Sequence, residues 1–439
     1  MSVKPRFDIC VLIICYRYVT LGTSQLPHLQ HVLTYFIPGF LEHLSPFERL
    51  QAVGGCLSSS KFKGLDWKQS MLRTAEEIME GSPYDPLLLA KVRLRRRKLS
   101  RLFPGRVEDC HTAAPDLHPL DESSNAHLGN VMLFEAQLRI DRNELFHALD
   151  ILNGFRALNR TKPSTEERGV LQQITLCRVR IRRYSGDYRE SERLLMELYT
   201  TTPLSRSTLP GIISQLTSVR CELGETRAAM SLLQTQDFVS PTWLEIQGQA
   251  RLLSLASAET HFMIGLRMLK KNEKAFDAAQ SSLYTAKDIY RKLETVFREI
   301  PTPSIVTVFR HFSVSAGLAM IAHLEGRFGT AMLEDAHSHW QSVSDIAERL
   351  RELCGWEPGF VQMVIVYSMS DITWRLGMPT TTASLIEKAS ELYPQAGRQS
   401  YWFAWTLWFD LVADGLESNG LGLVSKQQYN VRQTKNGFR

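Results

Sequence analysis

Residues 181–198 read IRRYSGDYRESERLLMEL, and the order of those letters decides the fold class. Upstream, Leu171, Ile174, Cys177, Ile181 and Tyr184 recur at three- and four-residue intervals, the period of one helix face. Ser185, Gly186 and Asp187 then break the pattern, and Tyr188, Leu195 and Leu198 resume it within a few residues. A helix that stops at a glycine and restarts at once is a helix hairpin. Ser164 and Glu167 mark its beginning, because a serine followed three residues later by a glutamate is a capping box.

The same rhythm extends in both directions. Toward the N-terminus, helices over Asn125–Asp141 and Asn143–Leu158 are predicted, the second placing Leu145, Leu149, Leu152 and Leu158 on one face. Toward the C-terminus, Pro210 suits a first helical turn, Ile212, Leu216, Val219 and Leu223 make the buried stripe, and Gly224 ends it. A long helix from Ser240 and Pro241 to Lys270 is followed by one carrying Phe276, Ala279, Leu283, Ala286, Tyr290, Leu293 and Phe297. Pro301 and Pro303 stop that helix. The next pair turns at Glu325, Gly326 and Arg327, with Met332, Ala336, Trp340, Val343, Ala347, Leu350 and Cys354 on its second member. The last turn combines Gly377 with Pro379, and an aromatic helix with Tyr401, Trp405, Trp408 and Val412 closes the array.

These junctions carry a resemblance. Gly186, Asp187, Tyr188 and Ser191 resemble the glycine, polar, aromatic and small residues that join the two helices of a tetratricopeptide repeat. Gly326, Arg327, Phe328 and Ala331 are similar, as are Gly224 and Ala229, while Tyr393 and Pro394 look like a repeat's closing residues. The turns at Gly186, Gly224, Asn272, Gly326 and Gly377 are spaced more widely than the family's period of about 34 residues. The resemblance therefore implies an all-α, tetratricopeptide-like α-solenoid of antiparallel helix pairs with degenerate repeats. A scaffold of that kind binds a peptide or partner helix on its concave face.

Composition places this array at residues 125–416, behind a proline-containing acidic linker at 104–124 and an irregular helical region at 1–103. Pro104, Pro115 and Pro119 interrupt any regular element in the linker. Within the first region, Pro38, Pro46, Gly54 and Gly55 break the pattern, whereas Asp66–Glu80 and Pro86–Phe103 read as helices. Residues 417–439 are polar and glycine-containing, the composition of a disordered tail.

A 439-residue chain with 51 basic and 46 acidic groups has no net charge that by itself implies nucleic acid. Seven cysteines, odd in number and without a CxxC pair, give no disulfide framework. An intracellular location, cytoplasmic or nuclear, follows as the expectation. Against it, Lys4 and Arg6 precede an apolar run from Ile9 to Tyr16, and Gly22, Thr23 and Ser24 follow, which imitates a secretory signal. Asp8 and Arg17 bound that run closely enough that a packed element is preferred over secretion. No stretch of about 18 uninterrupted apolar residues suggests a membrane span.

No phosphate loop, dinucleotide fingerprint, zinc-protease helix or nucleophile elbow occurs, so neither a catalytic residue nor a cofactor is predicted. Ser58 and Lys61 share a serine–x–x–lysine spacing without partner motifs. Glu108, Asp109, Cys110, His111, Asp116, His118, Asp121, Glu122 and His127 concentrate metal-ligand types, yet adjacent Cys110 and His111 fit zinc geometry poorly, and a solvated acidic linker accounts for them. His311, His323, His337 and His339 form no ligand set at helical spacing. Asn159–Arg160–Thr161 is a glycosylation sequon that matters only in a secreted chain.

Two basic clusters remain. Lys91, Arg93, Arg95, Arg96, Arg97, Lys98 and Arg101 share a helix whose apolar stripe is Leu88, Val92, Leu99 and Phe103, so a solvated face explains the charges. Arg95, Arg96, Arg97 and Lys98 are nevertheless the candidates for an anionic partner or an import receptor, with nucleic acid the less favoured one. Arg178, Arg180, Arg182 and Arg183 form the second cluster, from which Arg178 and Arg182 are the candidates for gripping an acidic peptide. Trp402, Trp405, Trp408 and Phe409 fit capping core better than a binding platform.

Overall fold

Every regular element among the described residues is an α-helix, sixteen in all. The computed structural model describes residues 45–60, 64–79, 85–107, 121–201, 208–234, 247–271, 276–329, 331–357, 359–392, 404–419 and 421. The apolar run at 9–16, the linker residues 108–120, the turn at Asn272, Tyr393, Pro394, Tyr401, Trp402 and most of the C-terminal tail lie outside them. The described residues divide into two compact units: one ends at Phe134 and adds Phe155–Val170, the other takes Glu135–Gly154 and Leu171 onward.

The first unit begins with α1 (Pro46–Ser59), whose N-terminus is closed by a capping box between Ser45 and Glu48. Pro46 sits in the first turn, where its missing amide costs nothing, and Gly54 and Gly55 lie inside the helix. The expected interruptions at these residues are thus a helix start and a helix interior. Two further helices follow, α2 (Leu65–Met79) and α3 (Pro86–Leu102), the latter capped by the Asp85 carboxylate on the Leu88 amide. Val53, Cys56, Leu72, Ala75, Val92 and Leu99 pack together as their common core. Burial pushes the Cys56 thiol up to about 12, which leaves it a small apolar side chain rather than a nucleophile.

Helices α4 (Glu122–Asp141), α5 (Leu145–Gly154), α6 (Thr165–Tyr184), α7 (Tyr188–Thr201), α8 (Leu209–Leu223), α9 (Thr226–Gln234) and α10 (Gln247–Lys271) come next. They are followed by α11 (Phe276–Arg298), α12 (Ile305–Arg327), α13 (Leu333–Cys354), α14 (Phe360–Arg375), α15 (Pro379–Leu392) and α16 (Trp405–Glu417). The expected capping box of α6 is present: the Ser164 amide donates to Glu167 and the Glu167 amide to the Ser164 hydroxyl. α5 stops at Gly154, so Leu158 is exposed and Ala148 takes its place on the buried face with Leu145 and Leu152.

Four junctions of the second unit share one backbone geometry. Asn143, Gly186, Gly224 and Gly377 have left-handed φ values of 63°, 79°, 87° and 72°. In each, the following residue donates its amide to the carbonyl five residues back: Glu144 to Arg139, Asp187 to Arg182, Glu225 to Arg220 and Met378 to Thr373, at 2.8–2.9 Å. That bond satisfies a carbonyl which a helix C-terminus would otherwise leave open. Five positions after each left-handed residue comes a small buried side chain, namely Ala148, Ser191, Ala229 and Thr382. The two polar ones bond back to the preceding helix, Ser191 Oγ to the Val179 carbonyl at 3.3 Å and Thr382 Oγ1 to Thr373 Oγ1 at 2.9 Å.

The junction after α12 departs from this pattern and from the expectation at Gly326. Gly326 is still helical, the left-handed residue is Gly329, and Ala331 and Met332 are exposed. Gly326 serves close approach, because a Cβ there would come within 2.8 Å of Leu333. Ala336 begins the buried stripe of α13, continued by Trp340, Val343, Ala347 and Leu350.

Successive helices of the second unit pack against one another, α8 through α15, and α16 returns onto α14 and α10. The stripe predicted on α11 is buried throughout, from Phe276 to Phe297, each large side chain contributing roughly 1.5 to 3 kcal/mol. Gly317 lets α12 approach α11 closely, since a Cβ would fall 2.5 Å from the Tyr290 ring. Among the described residues α12 alone is long and apolar enough to cross a membrane, yet 72% of that stretch is buried here. A core helix surrounded by protein carries the same all-round apolar character.

Candidate functional site

The basic run lies on α3, and none of its members is fully exposed. Arg96 pairs with Glu76, the Arg97 guanidinium lies 5.0 Å over the Phe134 ring, and the Lys91 ammonium reaches Ser123 Oγ at 3.1 Å. Val92 and Leu99 are buried as expected, but Ala90 and Leu94 are buried as well, on another side of the helix. A solvated face therefore does not describe α3. Burial, then repulsion from Arg95 and Arg101, pushes the Lys98 ammonium down to about 8, and burial lowers Arg95. His127 of α4 is held near 4 by burial and by the charges of Lys91 and Lys98.

The arginines of α6 are engaged inside the second unit. Arg178 donates to Asn153 Oδ1 at 3.0 Å and to the Leu152 carbonyl at 3.3 Å, at the C-terminal end of α5, where a cation is favoured. Arg180 contacts the Tyr184 hydroxyl at 2.8 Å and Asp141 at 4.0 Å, and Arg182 lies 3.6 Å from Asp187. Arg178 and Arg182 thus brace neighbouring turns.

Two polar clusters are buried deeper. His323 Nε2 and the Arg375 Nε–H both meet Asp371 Oδ2 at 2.8 Å, with His323 and Asp371 essentially inaccessible to solvent. Elsewhere, Ser218 Oγ donates to Glu259 at 3.0 Å and Arg267 donates to the carbonyls of Cys221 and Glu222. Burial, opposed by Arg183 and Ser218 but reinforced by Glu222, raises Glu259 to about 7. No group of three metal-ligand side chains is assembled among the described residues.

A groove of about 390 Å³ lies where α11 gives way to α12, its lining including Phe297, Ile300, Pro301 and Val308 together with Arg298, His311 and Arg349. His311 Nε2 is 3.0 Å from Glu294, which also accepts from Arg298 and Ser315.

The most extensive arrangement surrounds α16. The amide of its N-cap residue Ala404 donates to Glu222 of α8 at 2.9 Å; Asp410 pairs with Lys270 of α10 at 2.5 Å. Arg327 of α12 donates to the Leu411 carbonyl at 3.2 Å, and the Trp408 indole donates to Ser368 of α14 at 2.9 Å. Trp405 stacks on Phe312 at 5.9 Å, Trp408 meets the His323 ring edge-on at 5.3 Å, and Phe409 meets Tyr367 at 5.4 Å. Four alternate helices, α8, α10, α12 and α14, therefore each give α16 a polar contact, while its aromatic side is fully buried. Trp405, Trp408 and Phe409 are core, so they offer no exposed platform.

The sequence announces neither the His323–Asp371 pair, 48 residues apart, nor the contacts of α16, because both depend on which helices become neighbours. No protein-family model matches the chain, no curated protein matches it and no solved structure matches its fold.

Proposed function

We propose that this chain is a non-catalytic interaction scaffold, a tetratricopeptide-like array of antiparallel helix pairs whose inner face receives an amphipathic helix. The observation that carries the reading is the seat of α16 against α8, α10, α12 and α14. A helix lying across the first members of successive pairs is the helix-in-groove mode of recognition, here made in cis. The four like-built junctions support the repeat character, and the wider spacing between them makes the repeats degenerate. The partner class is a protein or peptide helix with apolar anchors spaced like Trp405, Trp408 and Val412, and the reading needs no cofactor.

The test loosens α16 in the full chain with Asp410→Lys and Trp408→Ala, then titrates a labelled peptide spanning residues 404–418. Binding to the loosened chain, and not to the unaltered one, is expected. No binding to a loosened chain that keeps its helical circular dichroism overturns the reading. Affinity capture with the two forms then compares which proteins carrying such helices are retained.

A further inference from the structure

The groove between α11 and α12 is built by consecutive elements. Phe297 and Arg298 end α11, Ile300 and Pro301 follow, Val308 and His311 belong to the first turns of α12, and Arg349 comes from the C-terminal half of α13. Pro301 and Pro303 cannot continue α11, so the chain leaves it and re-enters a helix only at Ser304, whose hydroxyl caps the Thr307 amide at 3.2 Å. Phe297 and Val308 are buried, and Ile300 packs half-exposed against the same core, which gives the groove an apolar wall.

Its polar side is cationic. Among the described residues that line it, Arg298, His311 and Arg349 are the titratable ones, and none is a carboxylate. Glu294, one turn back on α11, engages two of them: Oε1 accepts from Arg298 at 2.9 Å, while Oε2 lies 3.0 Å from His311 Nε2 and accepts from Ser315 at 3.1 Å. Arg298 thereby answers both that carboxylate and the negative end of its own helix. Arg349 is exposed and has no ion pair or hydrogen bond among the described residues, whereas Arg351, two positions on, is paired with Glu348. The first turn of α12 brings the positive end of a helix dipole to the same groove, which favours a negative group.

We propose that this groove is a binding site for a small aromatic monocarboxylic acid, its ring against Phe297, Ile300 and Val308 and its carboxylate on Arg349. A concave apolar wall with few polar groups is the usual build of a small-molecule site, and a guanidinium takes both oxygens of one carboxylate. The Phe297 and His311 rings, 6.2 Å apart and tilted by 43°, offer an aromatic ligand both face and edge contacts. A polyanion would need more than one unengaged cation, and Arg298 and His311 are already turned to Glu294. The lining shares no residue with the set that holds α16, so the proposal stands apart from the reading of that helix.

Titration calorimetry of the full chain at low salt compares phenylbutyrate with phenylbutanol, which keeps the apolar body and loses the charge. The acid is expected to bind with a Kd below about 1 mM, at least tenfold more tightly than the alcohol. Arg349→Gln should remove that preference while leaving the alcohol's affinity and the melting temperature unchanged, because the side chain is exposed. Arg351→Gln, which removes the same charge outside the groove, should leave the acid's affinity unchanged. The proposal falls if the folded chain does not bind the acid in this range, if acid and alcohol bind alike, or if the two arginine variants behave alike. It falls equally if acetate binds as well as phenylbutyrate, since the apolar wall would then contribute nothing.

Discussion

Asn143 stands at the α4–α5 junction as Gly224 stands at the α8–α9 junction: both have left-handed backbones, and each is followed five residues later by a fully buried alanine, Ala148 and Ala229. Asparagine tolerates that conformation better than other side-chain-bearing residues, which is how this junction keeps a left-handed backbone without a glycine.

Gly377 is the place to measure this tolerance, because no atom lies within 4 Å of where its Cβ would be and only the left-handed φ of 72° opposes a side chain. Gly377→Ala should cost about 1 to 2 kcal/mol and Gly377→Asn clearly less. Urea unfolding of the two variants gives the comparison, and equal costs would mean that the junction is not held left-handed.

The small residues after the junctions make an opposite pair of tests. Ala229 is fully buried where α9 meets its neighbours, whereas Ala331 is exposed ahead of α13. Ala229→Leu should lose about 1 to 3 kcal/mol by overpacking, and Ala331→Leu should stay within about 0.5 kcal/mol of the parent. Thermal melts of both variants decide it.

What the sequence made legible was periodicity along single helices. The stripes of α11 and α13, the capping box at Ser164 and the turns at Gly186, Gly224 and Gly377 all rest on interactions within a few residues. The left-handed turn at Asn143 has no glycine to mark it in the sequence. Ala331 lies outside the buried stripe because Gly329, not Gly326, carries the left-handed backbone. The half-burial of Lys98 and the seat of α16 depend on contacts between distant segments, which no local pattern encodes.

Acid should weaken the second unit through His323 and Asp371. Burial alone raises the Asp371 carboxyl, but His323 and then Arg375 outweigh it and bring it down to about 2; burial lowers His323 more than Asp371 raises it. Both groups thus hold fewer protons folded than unfolded, so their contribution is present at neutral pH. It fades first as pH falls below the ordinary histidine range, then between about 4 and 2 as the carboxylate is protonated. Asp371→Ala should cost about 3 to 5 kcal/mol at pH 7, since it leaves Arg375 and His323 without their acceptor. Its stability should also vary less with pH below 6 than that of the parent; an unchanged acid limb in denaturant titrations would rule the pair out as its source.

Glu259 works in the opposite direction. Ser218, Cys221 and Glu222 face it from α8, Arg183 from α6 and Tyr290 from α11. Its carboxyl titrates near 7 in the folded chain, against about 4.3 in an unfolded one, so the folded state binds the extra proton between those values. Stability associated with Glu259 is therefore complete below about pH 4 and is lost as pH rises through 7, a change on the order of 3 kcal/mol. Glutamine keeps an oxygen for the Ser218 hydroxyl and removes the charge. Glu259→Gln should then stabilise the chain by about 1 to 3 kcal/mol at pH 8, and the gain should shrink at pH 5, where the parent is already protonated. Urea unfolding at the two pH values measures the difference, and a gain of equal size at both would show that Glu259 is not protonated in the fold near neutrality.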